Sequence, residues 1–394
     1  MAISKKISDL MEQGSWIRKM FEEGAALKQQ FGDENVFDLS LGNPIMQPPP
    51  EFFAELRRIV GEPIAGLHRY MPNAGFVETR AAVAAQLREE TGLDFTADQV
   101  VMTAGAGGAM NVIFKTLLDP GDEVIVFAPY FVEYFFYADN HGATGRAVPP
   151  DDAFLPDFDA FESSISDKTR IVLINSPNNP TGVLYSADVL ARIAEIIQRK
   201  EQETGREIFL VSDEPYRKIP FDGLEYPHVF GHHVRSIVAT SHSKDLALPG
   251  ERIGFIATHP DYEDGAELMD GLVFCNRTLG FVNAPAMMQN IVAKLQSVTV
   301  DVAQYQAKRD FMYERLTDIG YELIKPQGAF YMFPKSPLED DVEFTAELLK
   351  HNVLVVPGRG FGVPGYFRLS YCVADETLAG SLDGFRQAFE RTSG

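Results

Sequence analysis

A lysine in a short polar loop is the first residue of this sequence that could do chemistry. Lys244 lies in the stretch SHSKDLALPGERIGF, with Ser241 and Ser243 just before it and Arg252 eight positions after it. The amine could condense with an aldehyde, while the hydroxyls and the guanidinium could hold a phosphate. The stretch therefore suits a cofactor that carries both groups. Taken alone, however, a lysine in a serine-rich loop is more often a solvated charge.

Two further motifs contain polar groups that would complement such a ligand. SDEPY places Asp213 at the end of an apolar run, with Tyr216 three positions later. A carboxylate buried there needs a cation, either a protonated ring nitrogen or a nearby arginine. In SPNNPTG, Asn179 could donate a hydrogen bond to a phenolate-like oxygen, and we predict a cis bond between Asn179 and Pro180. A plain loop is the alternative for this second motif.

A glycine-rich turn lies between a strand-like and a helix-like stretch in TAGAGGAM. Small residues at Gly105, Ala106 and Gly107 would let backbone N–H groups approach a phosphate at the start of a helix. The spacing fits neither a dinucleotide fingerprint nor a P-loop. A tight strand-to-helix turn with no ligand is the alternative interpretation.

Three more residues complete the set of candidates, each with a structural alternative. Phe131 could stack on a planar ring or belong to the core. Arg368, in YFRLSYC, could grip a carboxylate with two parallel hydrogen bonds or face solvent. Tyr70 precedes a turn, where a tyrosine is more often a packing residue.

The elements that must position these residues follow an α/β pattern from Val100 onwards. Very apolar strands alternate with helices, which predicts a mostly parallel sheet that is buried on both faces. Ligands of such sheets bind beyond the carboxyl ends of the strands, where most of the candidate residues fall. After about Pro285 long helices and short strands predict a smaller α+β domain.

Composition narrows the classes of function. The 394 residues carry a net charge of −21, which argues against nucleic acid or an anionic membrane as the main partner. The two cysteines allow no disulfide framework and no zinc pattern, so a reducing cytoplasm is expected. The polar N-terminus lacks the apolar core of a signal peptide.

Together, the motifs resemble those of the class I/II aminotransferases, a family of fold-type I pyridoxal-phosphate enzymes that includes aspartate and aromatic aminotransferases. SPNNPTG, SDEPY, SHSKDLALPGERIGF and YFRLSYC occur in the order of that family. The resemblance implies that Lys244 forms the internal aldimine and shuttles the proton, and that Asp213 pairs with the pyridine nitrogen. It also implies that Tyr216 and Asn179 contact the ring oxygen and that Phe131 stacks on the ring. The phosphate would be held by Gly105, Ala106, Gly107, Ser241, Ser243 and Arg252 of the same chain and by Tyr70 of a partner subunit. The substrate carboxylate would bind at Arg368, Gly42 and Asn179.

The resemblance also implies the architecture and the reaction. We expect an N-terminal arm with part of the small domain over 1–45, a large cofactor-binding domain over 46–285 and a small domain over 286–394. The implied protein is a cytoplasmic homodimer with shared active sites, and it moves an amino group between an L-amino acid and a 2-oxo acid by a ping-pong mechanism. A carbon–sulfur β-lyase or other elimination enzyme, and a non-catalytic sensor of pyridoxal phosphate, are the alternatives.

The donor amino acid stays open between acidic, aromatic and aliphatic side chains. An acidic donor would need a second cation in the site, and Arg277 and Arg69 are the candidates. Either arginine could equally be a surface charge.

Overall fold

The computed structural model describes residues 2–13, 16–62 and 64–392. Its α-helices are α1 Lys5–Gln13, α2 Trp16–Phe31, α3 Pro50–Gly61, α4 Val77–Thr91, α5 Gly105–Leu117, α6 Glu133–Asn140, α7 Phe158–Ser164, α8 Ala187–Thr204, α9 His242–Asp245, α10 Gly265–Thr278, α11 Ala286–Val292, α12 Val302–Ile319, α13 Asp341–Leu349 and α14 Asp375–Thr392. Its strands are β1 Phe37–Asp38, β2 Val100–Thr103, β3 Glu123–Phe127, β4 Thr144–Val148, β5 Thr169–Asn175, β6 Phe209–Asp213, β7 Ser236–Ser241, β8 Gly254–Thr258, β9 Tyr331–Met332, β10 Val353–Leu354, β11 Val356–Pro357 and β12 Phe367–Ser370.

A seven-stranded sheet forms the centre of the molecule, in the order β2-β8-β7-β6-β5-β3-β4. Only β8 runs against its neighbours, so the prediction of a mostly parallel sheet is confirmed. Successive residues of its strands pack into two different hydrophobic clusters: Val172 and Leu210 in one, Leu173 and Val211 in the other. Both faces of the sheet are therefore buried, which explains why its strands, apart from the edge strand β4, are mostly apolar.

Helices cover this sheet, and α8 shows how the sequence sets the ends of one of them. The Ser186 hydroxyl accepts a hydrogen bond from the Val189 N–H and so caps α8, while Gly205 ends that helix in the left-handed conformation. Within the described residues, no helix is both long and apolar enough to cross a bilayer.

The C-terminal part of the chain has its own core. A three-stranded sheet in the order β11-β12-β9 packs with α12, α13 and α14 around a separate hydrophobic cluster. Strand β1 pairs in parallel with β10, with Phe37 opposite Val353, so the segment before residue 46 joins this C-terminal part. The domain boundaries themselves stay a prediction.

Candidate active site

A cavity of about 320 Å³ opens beyond the carboxyl ends of the central strands. Most of the residues predicted from the sequence line it: Gly42, Ala106, Gly107, Phe131, Asn179, Asp213, Tyr216, Ser241, Ser243, Lys244, Arg252 and Arg368. The remaining lining residues are Leu41, Met110, Tyr134, Tyr137, Asn175, Pro215, Pro249 and Tyr331. Residues from far apart in the chain thus meet in one place, as the strand-end argument predicts.

Lys244 lies on the short helix α9, directly after β7. Its Nζ donates a hydrogen bond to the carbonyl of Gly42, 2.7 Å away. Burial, together with the positive charges of Arg368 and Arg252, lowers the pKa of Lys244 to about 8, whereas Cys372 opposes the shift. A larger fraction of this amine is therefore neutral, and able to act as a nucleophile, than of an ordinary lysine.

Asp213 ends β6 with one satisfied and one unsatisfied oxygen. Its Oδ2 accepts a hydrogen bond of 2.5 Å from the Tyr134 hydroxyl, while its Oδ1 has no partner among the described residues. Burial raises the pKa of Asp213 to about 6, and the Tyr134 hydrogen bond counteracts part of that rise. A cationic N–H donor at Oδ1 would stabilise the ionised carboxylate.

Arg368, on β12, is a buried cation without an anion. Its Nη1 donates to Asn179 Oδ1 at 3.0 Å, its Nη2 donates to the Ser40 carbonyl, and its Nε has no partner in the part of the chain that the structure describes. The guanidinium carbon lies over two aromatic rings, 4.7 Å from the Tyr331 ring centre and 4.8 Å from that of Phe361. No carboxylate within the described residues forms an ion pair with Arg368. A buried charge of this kind needs a counter-ion, and a ligand carboxylate would supply it.

Hydroxyls, a guanidinium and a helix start meet at another part of the cavity. Ser241 Oγ lies 3.1 Å from Ser243 Oγ, and Arg252 Nη2 donates to the Ala104 carbonyl at 3.4 Å. Gly105 begins α5 with φ 73°, and a Cβ there would lie 2.8 Å from Arg252 Nη2. Glycine is required because of both the backbone angle and the close guanidinium. Gly105 thus borders the cavity without lining it.

Asn175 organises the wall that contains Asn179. Its Nδ2 donates to the carbonyl of Asp213 at 2.9 Å, and its Oδ1 accepts from the Asn179 N–H at 2.8 Å. The bond between Asn179 and Pro180 is cis, which confirms that prediction. Phe131 lines the same cavity, with its ring 5.6 Å from that of Tyr134.

Sequence reasoning missed three residues of the site, namely Asn175, Tyr134 and Tyr331. A signal existed for Asn175, because it ends β5 just as Asp213 ends the neighbouring β6. Tyr134 and Tyr331 gave no comparable signal, since their hydroxyl contacts with Asp213 and Tyr216 depend on the fold.

Besides Gly105, which borders the cavity, three predicted residues lie away from the cavity of their own chain. Tyr70 is 91% exposed. Arg69 is exposed, and the guanidinium of Arg277 lies 5.3 Å from the ring centre of Phe274 rather than at the cavity. Neither arginine therefore supplies a second cation to this chain's own cavity.

A group of ionisable residues, which we call the buried ionic layer, lies next to the cavity. In the loops after β6 and β7 its members alternate along the chain with residues that line the cavity. We use this name for Glu90, Glu214, Arg217, Lys218, His242 and Asp245. Arg217 donates to Glu90, and His242 Nδ1 lies 3.1 Å from Asp245 Oδ2. Burial raises the pKa of Glu214 to about 7, although the charge of Arg217 works against this shift. The loops after β6 and β7 thus have polar contacts on both sides.

The residues of the cavity fit pyridoxal phosphate. The unsatisfied Asp213 Oδ1 suits a protonated ring nitrogen, and the Lys244 amine suits an aldehyde. The serine pair, Arg252 and the first turn of α5 suit a phosphate.

Comparisons with known proteins agree with this geometry. Residues 34–383 match the family model described as aminotransferase class I and II. A probable aspartate/prephenate aminotransferase of Thermus aquaticus is 33% identical, over 89% of this chain and 91% of the relative. A solved aminotransferase structure from Eubacterium rectale superposes with a TM-score of 0.96 at 39% identity and covers 100% of both chains. A solved Thermus thermophilus aspartate aminotransferase with maleate gives a TM-score of 0.85 at 27% identity, over 98% of this chain and 99% of that one. The chain therefore belongs to the class I and II aminotransferase family, whose pyridoxal-phosphate-dependent transfer of an amino group between an amino acid and a 2-oxo acid it shares.

Proposed function

We propose that Lys244 is the residue that binds the cofactor covalently and carries the proton in this transfer. The observation behind this proposal is that three charged groups, the buried Asp213 and Arg368 and the half-buried Lys244, line one cavity, and none has an oppositely charged partner among the described residues. A cofactor with an aldehyde and a ring nitrogen that can be protonated would satisfy Lys244 and Asp213, and the carboxylate of a substrate would satisfy Arg368. Pyridoxal phosphate supplies an electron sink that stabilises negative charge at the substrate Cα.

The mechanism assigns each remaining step to side chains of this chain. Arg368 holds the substrate carboxylate with its free N–H groups and orients the Cα–H bond. The Lys244 amine would take the proton from the substrate Cα and hold it for return during formation of the 2-oxo acid. Its pKa of about 8 suits both directions of transfer near neutral pH. Asp213 keeps the ring nitrogen protonated, because its ionised carboxylate favours the charged form.

Other cavity residues hold the cofactor. In this proposal Ser241, Ser243, Arg252 and the backbone of 105–107 bind the phosphate. Tyr216 and Asn179 bind the ring oxygen, Phe131 stacks on the ring, and Gly42 lines the part of the cavity that takes the substrate. Support comes from their common position around the cavity.

Borohydride reduction tests the covalent role directly. Reduction of the wild-type holoenzyme should attach the cofactor irreversibly to one peptide, the one that contains Lys244. The Lys244→Ala variant should retain pyridoxal phosphate only reversibly and should lose turnover. Labelling of another lysine, or turnover by the variant at the wild-type rate, would contradict the assignment.

Transfer is favoured over elimination because the relatives that match are aminotransferases. The two reactions differ in their products: elimination releases ammonia, whereas transfer keeps the nitrogen bound until a 2-oxo acid accepts it. A turnover assay with and without a 2-oxo acid should show activity only in its presence and no ammonia.

The donor side chain is, in this proposal, uncharged. The described lining contains three cations, and Lys244, Arg252 and Arg368 already have the roles given above. None remains for a second carboxylate within one subunit. A panel of donors, with pyruvate and with 2-oxoglutarate as acceptors, should give higher kcat/KM for aromatic or aliphatic amino acids than for aspartate. A preference for aspartate would contradict this part of the proposal.

The assembly, in this proposal, is a homodimer located in the cytoplasm. Tyr70 is exposed and absent from its own cavity, which supports a role at the site of a second copy. Both cysteines are free and buried, as suits a reducing compartment.

Subunit mixing tests the shared site. Tyr70→Ala and Lys244→Ala variants should each be impaired alone. After subunit exchange, hybrid dimers should contain one intact site, so the mixture should recover about a quarter of wild-type activity. No recovery despite exchange, shown by tagged subunits, would contradict the placement of Tyr70.

A further inference from the structure

Tyr331 connects two parts of the cavity that the mechanism uses separately. It begins β9, and Ser370 of β12 lies opposite it, two residues after Arg368. Tyr216, by contrast, follows β6 of the central sheet. Tyr331 is 3% exposed and lines the cavity, so it lies where the two sheets meet at the site.

The hydroxyl of Tyr331 contacts Tyr216. The two phenolic oxygens are 3.1 Å apart, and the rings meet edge to face with centres 5.8 Å apart. Burial raises the pKa of both phenols, so both keep their protons at neutral pH. When Tyr216 donates its own proton elsewhere, the Tyr331 hydroxyl is therefore available to donate to the Tyr216 oxygen.

The same hydroxyl lies close to the backbone of Gly42. A Cβ built on Gly42 would lie 1.7 Å from the Tyr331 oxygen and 2.6 Å from the ring carbon that carries it. Any side chain at position 42 would therefore displace Tyr331. The glycine at this position leaves the space that the tyrosine hydroxyl occupies.

The ring of Tyr331 contacts Arg368. The guanidinium carbon lies 4.7 Å from the ring centre, within the range of a cation–π interaction. The Phe361 ring centre lies 4.8 Å from the same guanidinium carbon, so two aromatic rings restrict the orientation of the guanidinium. This restriction matters because bidentate recognition of a carboxylate depends on the orientation of the fork.

We propose that Tyr331 is a positioning residue that serves both ends of the reaction: its hydroxyl orients and polarises the Tyr216 phenol, and its ring orients Arg368 for the substrate carboxylate. This inference rests on the proposed roles of Tyr216 and Arg368. It assigns two separable functions to one side chain, and two substitutions can divide them.

The Tyr331→Phe variant removes the hydroxyl and keeps the ring. The midpoint of the pH titration of the holoenzyme's visible absorbance should rise by about 0.5 units, the equivalent of a weakened hydrogen bond. The rise is expected because a weaker donor leaves more negative charge on the ring oxygen, and this charge holds the proton on the neighbouring imine nitrogen. The KM for the donor amino acid should stay within about twofold.

The Tyr331→Leu variant removes both groups. It should shift the absorbance midpoint in the same direction as Tyr331→Phe. In addition, the KM for the donor and the inhibition constant of acetate should rise about 3- to 10-fold, because the guanidinium loses its aromatic support. The matched control is Tyr321→Phe, which loses one buried hydroxyl contact, with the Phe385 carbonyl at 3.0 Å, outside the cavity.

The outcomes separate this inference from the proposed function. If the wild-type protein is not labelled on Lys244, the proposed function fails. If it is labelled, but Tyr331→Phe titrates at the wild-type midpoint, the role of the hydroxyl is refuted. If Tyr331→Leu has the acetate inhibition constant of the wild type, the role of the ring is refuted. Should Tyr331→Leu fail to fold, Tyr331→Phe and its titration still decide the first role, since it lacks a single oxygen atom.

Discussion

The buried amine of Lys244 should destabilise the apoenzyme in a pH-dependent way. A lysine in the unfolded chain has its ordinary pKa of 10.5, whereas burial lowers the pKa of Lys244 to about 8 in the folded protein. Between these two values the unfolded state binds more protons, so stability rises with pH. The destabilisation is fully present below pH 8 and is relieved as the pH rises towards 10.5. Its full size is about 3 kcal/mol, at about 1.4 kcal/mol per unit of pKa.

Comparison with Lys244→Met isolates this effect. Methionine has a similar length and no charge, and every other titrating group is common to the two proteins. We expect the variant to be favoured at pH 7, where the lysine is charged in both states. The difference in unfolding free energy should then move by about 2.5 kcal/mol in favour of the wild type between pH 7 and pH 10. The lost hydrogen bond to Gly42 adds an offset but does not produce this slope.

Urea unfolding of the two apoenzymes at a fixed protein concentration measures this difference. The slopes against urea concentration should agree between the proteins, so that only the midpoints differ. A constant difference between pH 7 and pH 10 would refute the reasoning, because it would mean that Lys244 keeps an ordinary pKa despite its burial.

Three further substitutions test individual contacts. Asp213→Asn should lower kcat at least about a hundredfold, because the amide cannot hold a proton on the ring nitrogen; steady-state assays at saturating pyridoxal phosphate measure it, and a loss under tenfold contradicts it. Arg368→Lys should raise KM about tenfold for all donors alike, since a point charge replaces a fork; an effect on a single donor would contradict it. Gly42→Ala should lower the urea midpoint by the equivalent of about 1–3 kcal/mol, because its Cβ overlaps Tyr331; an unchanged midpoint would contradict the close contact.

The sequence was most informative where a strand ends. Lys244, Asp213 and Asn179 could be found because apolar strands predict a parallel sheet, and a parallel sheet brings its carboxyl ends together. Tyr134 and Tyr331 gave no such signal. An aromatic residue in an apolar run is usually part of a core, and their partners lie 79 and 115 residues away in the chain. Only the folded chain reveals those hydroxyl contacts.

Strand β4 and the arginines Arg69 and Arg277 illustrate other limits of prediction from the sequence. β4, with the sequence TGRAV, lies at the edge of the sheet and leaves most of its residues partly or fully exposed, so it lacks the apolar pattern of its neighbours. It was therefore not predicted. Arg69 and Arg277 had the right charge for a substrate contact, but charge alone does not predict where a side chain lies in the fold. The structure leaves both outside their own chain's cavity.

The buried ionic layer has a consequence for protein engineering. Motifs such as SDEPY and SHSK look like portable cassettes, because each is short and continuous. Yet Arg217 is paired with Glu90, a residue of α4 far upstream, and Asp245 accepts hydrogen bonds through its carbonyl from Thr299 and Val300. Grafting either loop into another scaffold without these distant partners would bury unpaired charges. The new scaffold would then not stabilise the loop conformation that positions the catalytic residues.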